Sequence, residues 1–344
     1  MQTWLAPLKQ SRLSTVNIPP QPSLLRSFLR GRASLLAALI WAAASLSWAA
    51  SPGGPPAGTW TLSLNEDFDG AALNTAIWTV GPRWASVINS ELQAYVPENV
   101  SVANGLCTIK VEKREAHNTD MGGYVIGGKP AAYASSMIQT YKKWAQTYGY
   151  FEARIRMATG KGTWPAFWLL PDRGAESPNV YYRTVVGDSV KDGKGEWFYP
   201  PMGNEIDVVE YMATWKNPST GLSRSHCGYI WGPSKSGKSS GSYALENNGA
   251  GPGQFTYASP DTQFHTYGVY WGPGQLIFYI DGVPVLKRGD SHSASVVPEY
   301  LLLNCAVSNN DWTGTKVPLT DIDAGLPCTM DIDYVKVWTG MPAP

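Results

Sequence analysis

The sequence has no excess of either charge and few cysteines and histidines. Its 344 residues contain 27 Lys and Arg against 27 Asp and Glu, and only 16% of the chain is charged. A nucleic-acid-binding protein needs a basic surface, so this class of partner is excluded. The cysteines and histidines show no metal-ligand spacing, so we expect no zinc site. The histidines are His117, His226, His265 and His292.

The chain also lacks an amphipathic helix of convincing length and any internal repeat. Alternating runs such as Cys107–Lys113 and Leu276–Ile280 predict β-strands instead. Turn clusters rich in Gly, Asn, Asp and Pro separate these runs. Many short strands within one segment predict a single all-β domain, folded as a sandwich or jelly roll.

Aromatic residues, in contrast, are abundant. The chain contains 15 Trp and 18 Tyr. Flat aromatic faces stack on the apolar faces of sugar rings, although most individual Trp side chains lie in a protein core. Together with a net charge of zero, this composition favours a neutral carbohydrate as the partner.

Residues 1–50 are predicted to be an export signal. An Ala- and Leu-rich run at 33–50 follows several arginines and ends in small residues that permit cleavage after Ala49 or Ala50. The run is also just long enough to span a membrane, so a retained anchor is the alternative. We therefore expect an extracellular or periplasmic protein, or else an anchored one. Residues 51–57, rich in Pro and Gly, are predicted to be a linker.

The most informative segment runs from Glu205 to Glu210 and puts three carboxyl groups into an otherwise apolar stretch. In a strand, side chains at i and i+2 share a face, so Glu205 and Asp207 point the same way and Glu210 points away. One extra residue, accommodated as a β-bulge between Asp207 and Glu210, would return Glu210 to that face. A solvated edge strand whose acids face water is the alternative.

Carboxyl groups close together on one face of a strand cannot all ionise independently, because nearby like charges raise the pKa of at least one of them. Two carboxyl groups about 5–5.5 Å apart are the arrangement of a retaining glycosidase. Across a bulged strand, Glu205 and Glu210 could reach this separation. The segment therefore predicts glycoside hydrolysis with retention.

The segment Asn204–Tyr211 resembles the signature of glycoside hydrolase family 16, in the bulged E-x-D-x-x-E form typical of laminarinases. The similarity covers roughly residues 58–340, which we take as the catalytic domain. The resemblance implies a concanavalin-like jelly roll, an all-β sandwich of two antiparallel sheets with a concave substrate cleft. Further segments that resemble the family are Tyr148–Arg154, Gly162–Pro171, Phe264–Gly268, Phe278–Gly282 and Met330–Val337.

The resemblance also implies roles for individual residues. Glu205 would be the nucleophile, Glu210 the general acid and then base, and Asp207 the charge between them. The residues expected to bind substrate are Trp164 and Trp168, by stacking on sugar rings, and Asn89, by hydrogen bonding.

His226 lies on the strand expected beside the catalytic one. It could hydrogen-bond a sugar hydroxyl or an active-site acid, with a structural role as the alternative. The resemblance places a structural calcium ion at Asp333, with backbone oxygens near Glu66 and Gly105, and oxygen ligands suit calcium. No other cofactor is required.

The cysteines are Cys107, Cys227, Cys305 and Cys328. An even number in an exported chain suggests disulfides, with three possible pairings. Because Cys107 and Cys305 lie in apolar runs, buried thiols are the alternative.

We therefore expect a secreted, monomeric endo-β-glucanase that hydrolyses internal β-1,3 bonds of a polysaccharide, with β-1,3-1,4 glucan as a secondary substrate. One alternative is a depolymerase of a bacterial exopolysaccharide or of a galactan such as agar or carrageenan, although a sulfated galactan would need a basic cleft. A non-catalytic lectin on the same fold is another. Residues Asp172–Asn204 form a long aromatic loop that we expect to border the cleft, and Asn204 stands where laminarinases usually have Gly.

Overall fold

The computed structural model describes most of the chain from residue 53 to the end, and the fold is built almost entirely from β-strands. This confirms the all-β class predicted from the alternating runs. The described residues are 53–82, 91–119, 129–172, 190–191, 197–198, 205–216, 223–231, 241–244, 256–257, 263–289, 298–310 and 314–344. In chain order the elements are β1 (Gly58–Glu66), β2 (Thr79–Val80), β3 (Gln93–Tyr95), a 3-10 helix (Pro97–Asn99), β4 (Val100–Ala103), β5 (Leu106–Val111), β6 (Tyr133–Ser135), β7 (Met137–Gln139), β8 (Gly149–Arg156), β9 (Thr163–Pro171), β10 (Val190–Lys191), β11 (Trp197–Phe198), β12 (Glu205–Lys216), β13 (Ser223–Trp231), β14 (Gly241–Ala244), β15 (Thr256–Tyr257), β16 (His265–Gly272), β17 (Gln275–Ile280), β18 (Val283–Gly289), β19 (Glu299–Val307), α1 (Leu319–Ala324) and β20 (Cys328–Pro342).

Two antiparallel sheets make up the body of the domain. Sheet I has the strand order β18-β17-β16-β8-β20-β5-β4, with β1 also paired to β20. Sheet II has the order β14-β13-β12-β9-β19-β7-β2, with β15 also paired to β13. Neighbours in each sheet are mostly distant in the chain, as expected for a sandwich with crossing connections. Two small pairs, the parallel β3–β6 and the antiparallel β10–β11, complete the described strands.

The main core lies between the two sheets, and β19 shows how the sequence builds it. Every residue of β19 is buried. Alternate side chains, Leu301 and Leu303, join the main core, while Tyr300 and Leu302 join a second apolar cluster with Trp168. Because strand side chains alternate between faces, this second cluster covers the outer face of sheet II. It forms the apolar base on which the candidate site rests.

The Pro- and Gly-rich segment 53–57 packs against the domain. The indole N–H of Trp60 donates to the Pro56 carbonyl oxygen over 2.7 Å, and the Ala343 amide donates to the Ala57 carbonyl oxygen over 2.7 Å. These bonds attach the segment to the strand pair β1–β20. The part of the predicted linker that is described is therefore anchored to sheet I.

The four cysteines are free thiols. Three of them are buried, and Cys328 is half-buried. Burial raises the pKa of the Cys107 thiol to about 12, so this group stays protonated and packs as a small apolar side chain. The structure therefore has the arrangement that was the alternative to disulfides.

The predicted export signal at residues 1–50 lies outside the described residues and stays a prediction. Among the helices that are described, none is long and apolar enough to cross a membrane.

Candidate active site

The three carboxyl groups of β12 share one face because the strand carries a β-bulge. Asp207 and Glu210, three residues apart, stand opposite Gly228 and His226, which are two residues apart. Against the other neighbour, β9, the register also shifts just after Asp207, before Val209. One extra residue on β12 therefore reverses the alternation, which confirms the predicted bulge.

All three acids line one cleft on the outer face of sheet II. Asp207 is buried, whereas Glu205 and Glu210 are half-buried at the cleft wall. The side chains that line the cleft come from β3, β7, β9, β12, β19 and the segment before β3. They are Glu91, Tyr95, Met137, Trp164, Ala166, Trp168, Glu205, Asp207, Glu210, Asn304 and Ala306.

Burial and mutual repulsion separate the protonation states of the three acids. Burial raises the pKa of Glu205, while a hydrogen bond with Asp207 acts in the opposite direction and favours the Glu205 anion. Burial, then the charges of Glu205 and Glu210, raise the pKa of Asp207 well above its ordinary value. Burial, followed by the charge of Glu205, raises the pKa of Glu210 to about 8. At neutral pH, Glu205 is therefore the acid best able to ionise, and Glu210 holds a proton.

Asp207 acts through its hydrogen bond to Glu205. The bond lowers the pKa of Glu205 and raises that of Asp207, so Asp207 is the donor and Glu205 the acceptor. The sequence predicted a charge at Asp207. Burial raises the pKa of this group, and its hydrogen bond orients Glu205, so the charge expected at Asp207 stays a prediction.

Glu210 has a different partner at each carboxyl oxygen. The indole N–H of Trp164 donates to Oε1 over 2.9 Å. His226 Nε2 lies 3.6 Å from Oε2, and burial lowers the pKa of His226 to about 4, so its imidazole is neutral at neutral pH. Of the two roles proposed for His226, the structure places it beside an active-site acid. Oxygen and nitrogen atoms of Asp207, Glu210 and His226 lie within 4.8 Å of one another.

Trp168 belongs to a chain of side-chain hydrogen bonds across the cleft base. Its indole N–H donates to Asn304 Oδ1 over 2.7 Å, and Asn304 Nδ2 donates to the Tyr95 hydroxyl over 2.9 Å. The Tyr95 hydroxyl in turn donates to Glu91 Oε2 over 3.2 Å. Trp168 is only 8% exposed and lines the cleft, and its predicted stacking on a sugar ring stays a prediction.

Sequence reasoning missed Glu91, Tyr95 and Asn304 as site residues. Glu91 and Tyr95 lie within six residues of Asn89, the position that the family resemblance singled out. Asn304 is a polar residue inside the apolar run Tyr300–Val307 of the fully buried β19. A buried amide needs hydrogen-bond partners, and that was the available signal.

The remaining predicted residues lie elsewhere. Asn89 and nearly all of the loop 172–204 fall outside the described residues. Asp333 lies on β20, where its carboxylate forms a 2.6 Å ion pair with Arg154. Both carboxyl oxygens of Glu66 accept hydrogen bonds, from the Phe68 amide and the Trp78 indole. These side-chain contacts do not test the backbone oxygens expected near Glu66 and Gly105, so the calcium ion stays a prediction.

Comparison with known proteins identifies several relatives. The chain is 29% identical over 298 residues to the endo-1,3-1,4-beta-glycanase EglC of Rhizobium meliloti, covering 81% of this chain and 52% of that protein. It is 31% identical over 240 residues to ExsH, an endo-1,3-1,4-beta-glycanase of the same organism, covering 70% of this chain and 39% of that protein. The chain thus spans about half or less of the length of these relatives.

The fold is shared with solved structures. An endo-beta-1,3-glucanase from Pyrococcus furiosus superposes with a TM-score of 0.57 at 23% identity, over 83% of this chain and 97% of that one. The described sheets are therefore those of the expected jelly roll. Residues 90–221 and 196–336 match the family described as glycosyl hydrolases family 16. With this match over well more than half of the chain and three acids in one cleft, the protein belongs to glycosyl hydrolases family 16.

Proposed function

We propose that the protein is an endo-acting β-glucanase that hydrolyses internal β-1,3 bonds with retention, and β-1,3-1,4 bonds as a secondary activity. The observation that carries this proposal is the division of protonation among the cleft acids. Burial raises the pKa of Glu205, but the hydrogen bond from Asp207 favours its anion, while Glu210 holds a proton with a pKa of about 8. An anionic nucleophile beside a protonated acid is the pair that a double displacement requires. The names of the relatives from Rhizobium meliloti support the substrate class.

In the first step, Glu205 attacks the anomeric carbon while Glu210 protonates the departing glycosidic oxygen. The bond between the anomeric carbon and that oxygen breaks as the bond to Glu205 forms. The product of this step is a covalent glycosyl-enzyme and a free sugar hydroxyl. Asp207 donates its hydrogen bond to Glu205 and keeps the attacking carboxylate oriented.

In the second step, a water molecule takes the place of the sugar that has left. Glu210, now an anion, takes a proton from water as the water oxygen bonds to the anomeric carbon. The bond to Glu205 breaks, and Glu205 returns as an anion. Two inversions at the same carbon give net retention.

The charge of the cleft supports a neutral glycan. Its lining includes four carboxyl groups, those of Glu91 and the three β12 acids, and no Lys or Arg among the described lining residues. A sulfated galactan would find no cationic partner among these lining residues. Trp164, half-buried at the cleft, supplies aromatic surface for a sugar ring. We further propose that the enzyme is exported, on the strength of the sequence features at residues 1–50, and that it acts as a monomer.

A reducing-end assay on four polysaccharides tests the function. Purified protein is incubated with laminarin, mixed-linkage β-glucan, agarose and κ-carrageenan, beside Glu205→Gln. We expect hydrolysis of laminarin that the variant loses. Exposed Glu98, on the 3-10 helix, provides a matched control, because Glu98→Gln removes a carboxylate outside the cleft and should leave hydrolysis unchanged.

Two other results would change the conclusion. Hydrolysis of a galactan alone would retain the mechanism and replace the substrate. Binding of a glycan without hydrolysis of any would indicate a lectin.

A further inference from the structure

The two oxygens of Glu210 are chemically distinct. Oε1 accepts the indole N–H of Trp164 at 2.9 Å, and Oε2 lies 3.6 Å from His226 Nε2. An indole N–H can donate but cannot accept, so Oε1 must be an acceptor. The carbonyl oxygen of a carboxylic acid is a stronger acceptor than its hydroxyl oxygen, so in protonated Glu210 the indole N–H favours Oε1 as the carbonyl oxygen and the hydrogen on Oε2, on the side of His226.

The backbone holds His226 beside that oxygen. Glu210 and His226 are direct partners in the β12–β13 register, immediately after the bulge. Side chains of directly opposed residues in an antiparallel pair lie close together. Both are well shielded, with side-chain exposures of 16% for Glu210 and 17% for His226. Water therefore competes little for the space between them.

The separation suits a partner that acts after proton transfer. Hydrogen bonds between nitrogen and oxygen span about 2.7–3.2 Å, so at 3.6 Å the imidazole does not bind the proton on Oε2 in the resting enzyme. That proton remains available for the glycosidic oxygen. Once it has moved, Oε2 carries negative charge, and a neutral imidazole with its hydrogen on Nε2 can donate to it over a small side-chain movement. A hydrogen bond to an anion is stronger than one to a neutral group.

We propose that Trp164 and His226 are positioning residues for the catalytic proton: Trp164 confines it to Oε2, and His226 stabilises Oε2 after the proton has left. This inference rests on the proposed function and gives Trp164 a role beyond stacking on sugar. Among the described residues, the titratable groups that lie near or interact with Glu210 are Glu205 and Asp207 from its own strand and His226 and Cys227 from β13. In the second step, Oε2 recovers its proton from the attacking water, and the contact with His226 is released.

The first test separates acid assistance from sugar binding. A β-1,3-glucan oligosaccharide needs a protonated leaving group, whereas the dinitrophenyl glycoside of the same sugar does not. Trp164→Phe removes the N–H and keeps an aromatic ring. We expect kcat on the oligosaccharide to fall roughly tenfold or more, while the rapid first release of dinitrophenolate changes less than about threefold.

Trp168→Phe is the matched control. Trp168 lies on the same strand and lines the same cleft, but its N–H donates to Asn304 and not to an acid. Its loss should affect both substrates by the same factor. Replacing Trp164 with benzothienylalanine, which keeps the shape of the ring and removes only the N–H, repeats the test if Trp164→Phe does not fold.

The second test addresses the role of His226. Since His226 stabilises the anion that forms as Glu210 gives up its proton, His226→Leu should lower kcat/KM on the oligosaccharide roughly tenfold or more. The rapid first release of dinitrophenolate, which needs no proton from Glu210, should change less than about threefold. His226→Gln places an amide N–H near the former Nε2 and should recover activity to within about threefold of the wild type.

Several results would overturn the inference. Equal losses on both substrates for Trp164→Phe would reduce Trp164 to a binding residue. An unchanged kcat/KM on the oligosaccharide for His226→Leu, or no recovery in a folded His226→Gln, would remove the role of His226. The proposed function fails separately, if the wild type cleaves no glycan or Glu205→Gln stays active.

Discussion

Replacing Glu210 by Gln should stabilise the protein at alkaline pH. Burial, then the charge of Glu205, raises the pKa of Glu210 from 4.5 to about 8. Below the lower value, the carboxyl group is protonated in both the folded and the unfolded state. Between the two values only the unfolded state ionises, and above the higher value the folded state bears the full cost. The wild type therefore loses stability as the pH rises through this window, and a Gln side chain removes that loss.

The size of the effect follows from the pKa difference. Each pKa unit corresponds to about 1.4 kcal/mol, so a change from 4.5 to about 8 costs on the order of 5 kcal/mol above pH 8. The cost is shared with Glu205 and Asp207, whose pKa values are also raised. For the single substitution we expect a gain of roughly 2–4 kcal/mol near pH 8.5 and less than about 1 kcal/mol near pH 4.5. The amide oxygen of Gln can still accept the Trp164 N–H.

Urea unfolding followed by tryptophan fluorescence, at several pH values from about 4 to 9, gives the free energy of unfolding of both proteins. The exposed Glu98→Gln provides the control for removing one carboxylate. A stability difference between Glu210→Gln and the wild type that stays constant across this range would refute the reasoning. So would a variant that is less stable than the wild type at alkaline pH.

Three further changes test other parts of the structure. Deleting Val208 from the bulge should keep the three acids on one face and retain measurable hydrolysis. Deleting Ile206 should instead turn the Glu205 side chain toward the core and abolish hydrolysis. A reducing-end assay measures both variants. Tyr95→Phe removes the acceptor of the Asn304 amide and should lower the free energy of unfolding in urea by about 1–3 kcal/mol. Gly149 has φ +125°, and a Cβ there would lie 2.1 Å from a backbone oxygen, so Gly149→Ala should destabilise the fold by at least about 1–3 kcal/mol, measured by calorimetry.

The bulge shows how far local sequence can predict a site. Glu205 and Asp207 are two residues apart, but Glu210 follows three residues later, so the three acids cannot share a face under strict alternation. A single extra residue was therefore expected between Asp207 and Glu210. The register against both neighbouring strands confirms it. The prediction succeeded because the period of a strand is a local property of the backbone.

The hydrogen-bond chain of the cleft base could not be predicted in the same way. Tyr95 and Asn304 are 209 residues apart in the chain, yet they are joined by a 2.9 Å bond. Their meeting depends on the placement of β3 beside β19, which no local pattern encodes. The assignment of Trp168 to sugar stacking likewise did not foresee its bond to Asn304.

The sequence by itself determined the all-β class, the shared face of the three acids and the family of the protein. These depend on side-chain periodicity and on the order of short segments along the chain. The tertiary structure alone decided which acid is ionised and what each oxygen of Glu210 contacts. The physical reason is that burial and Coulomb interaction sum over groups brought together from separate strands, so a carboxyl group has its functional pKa only once the sandwich has closed around it.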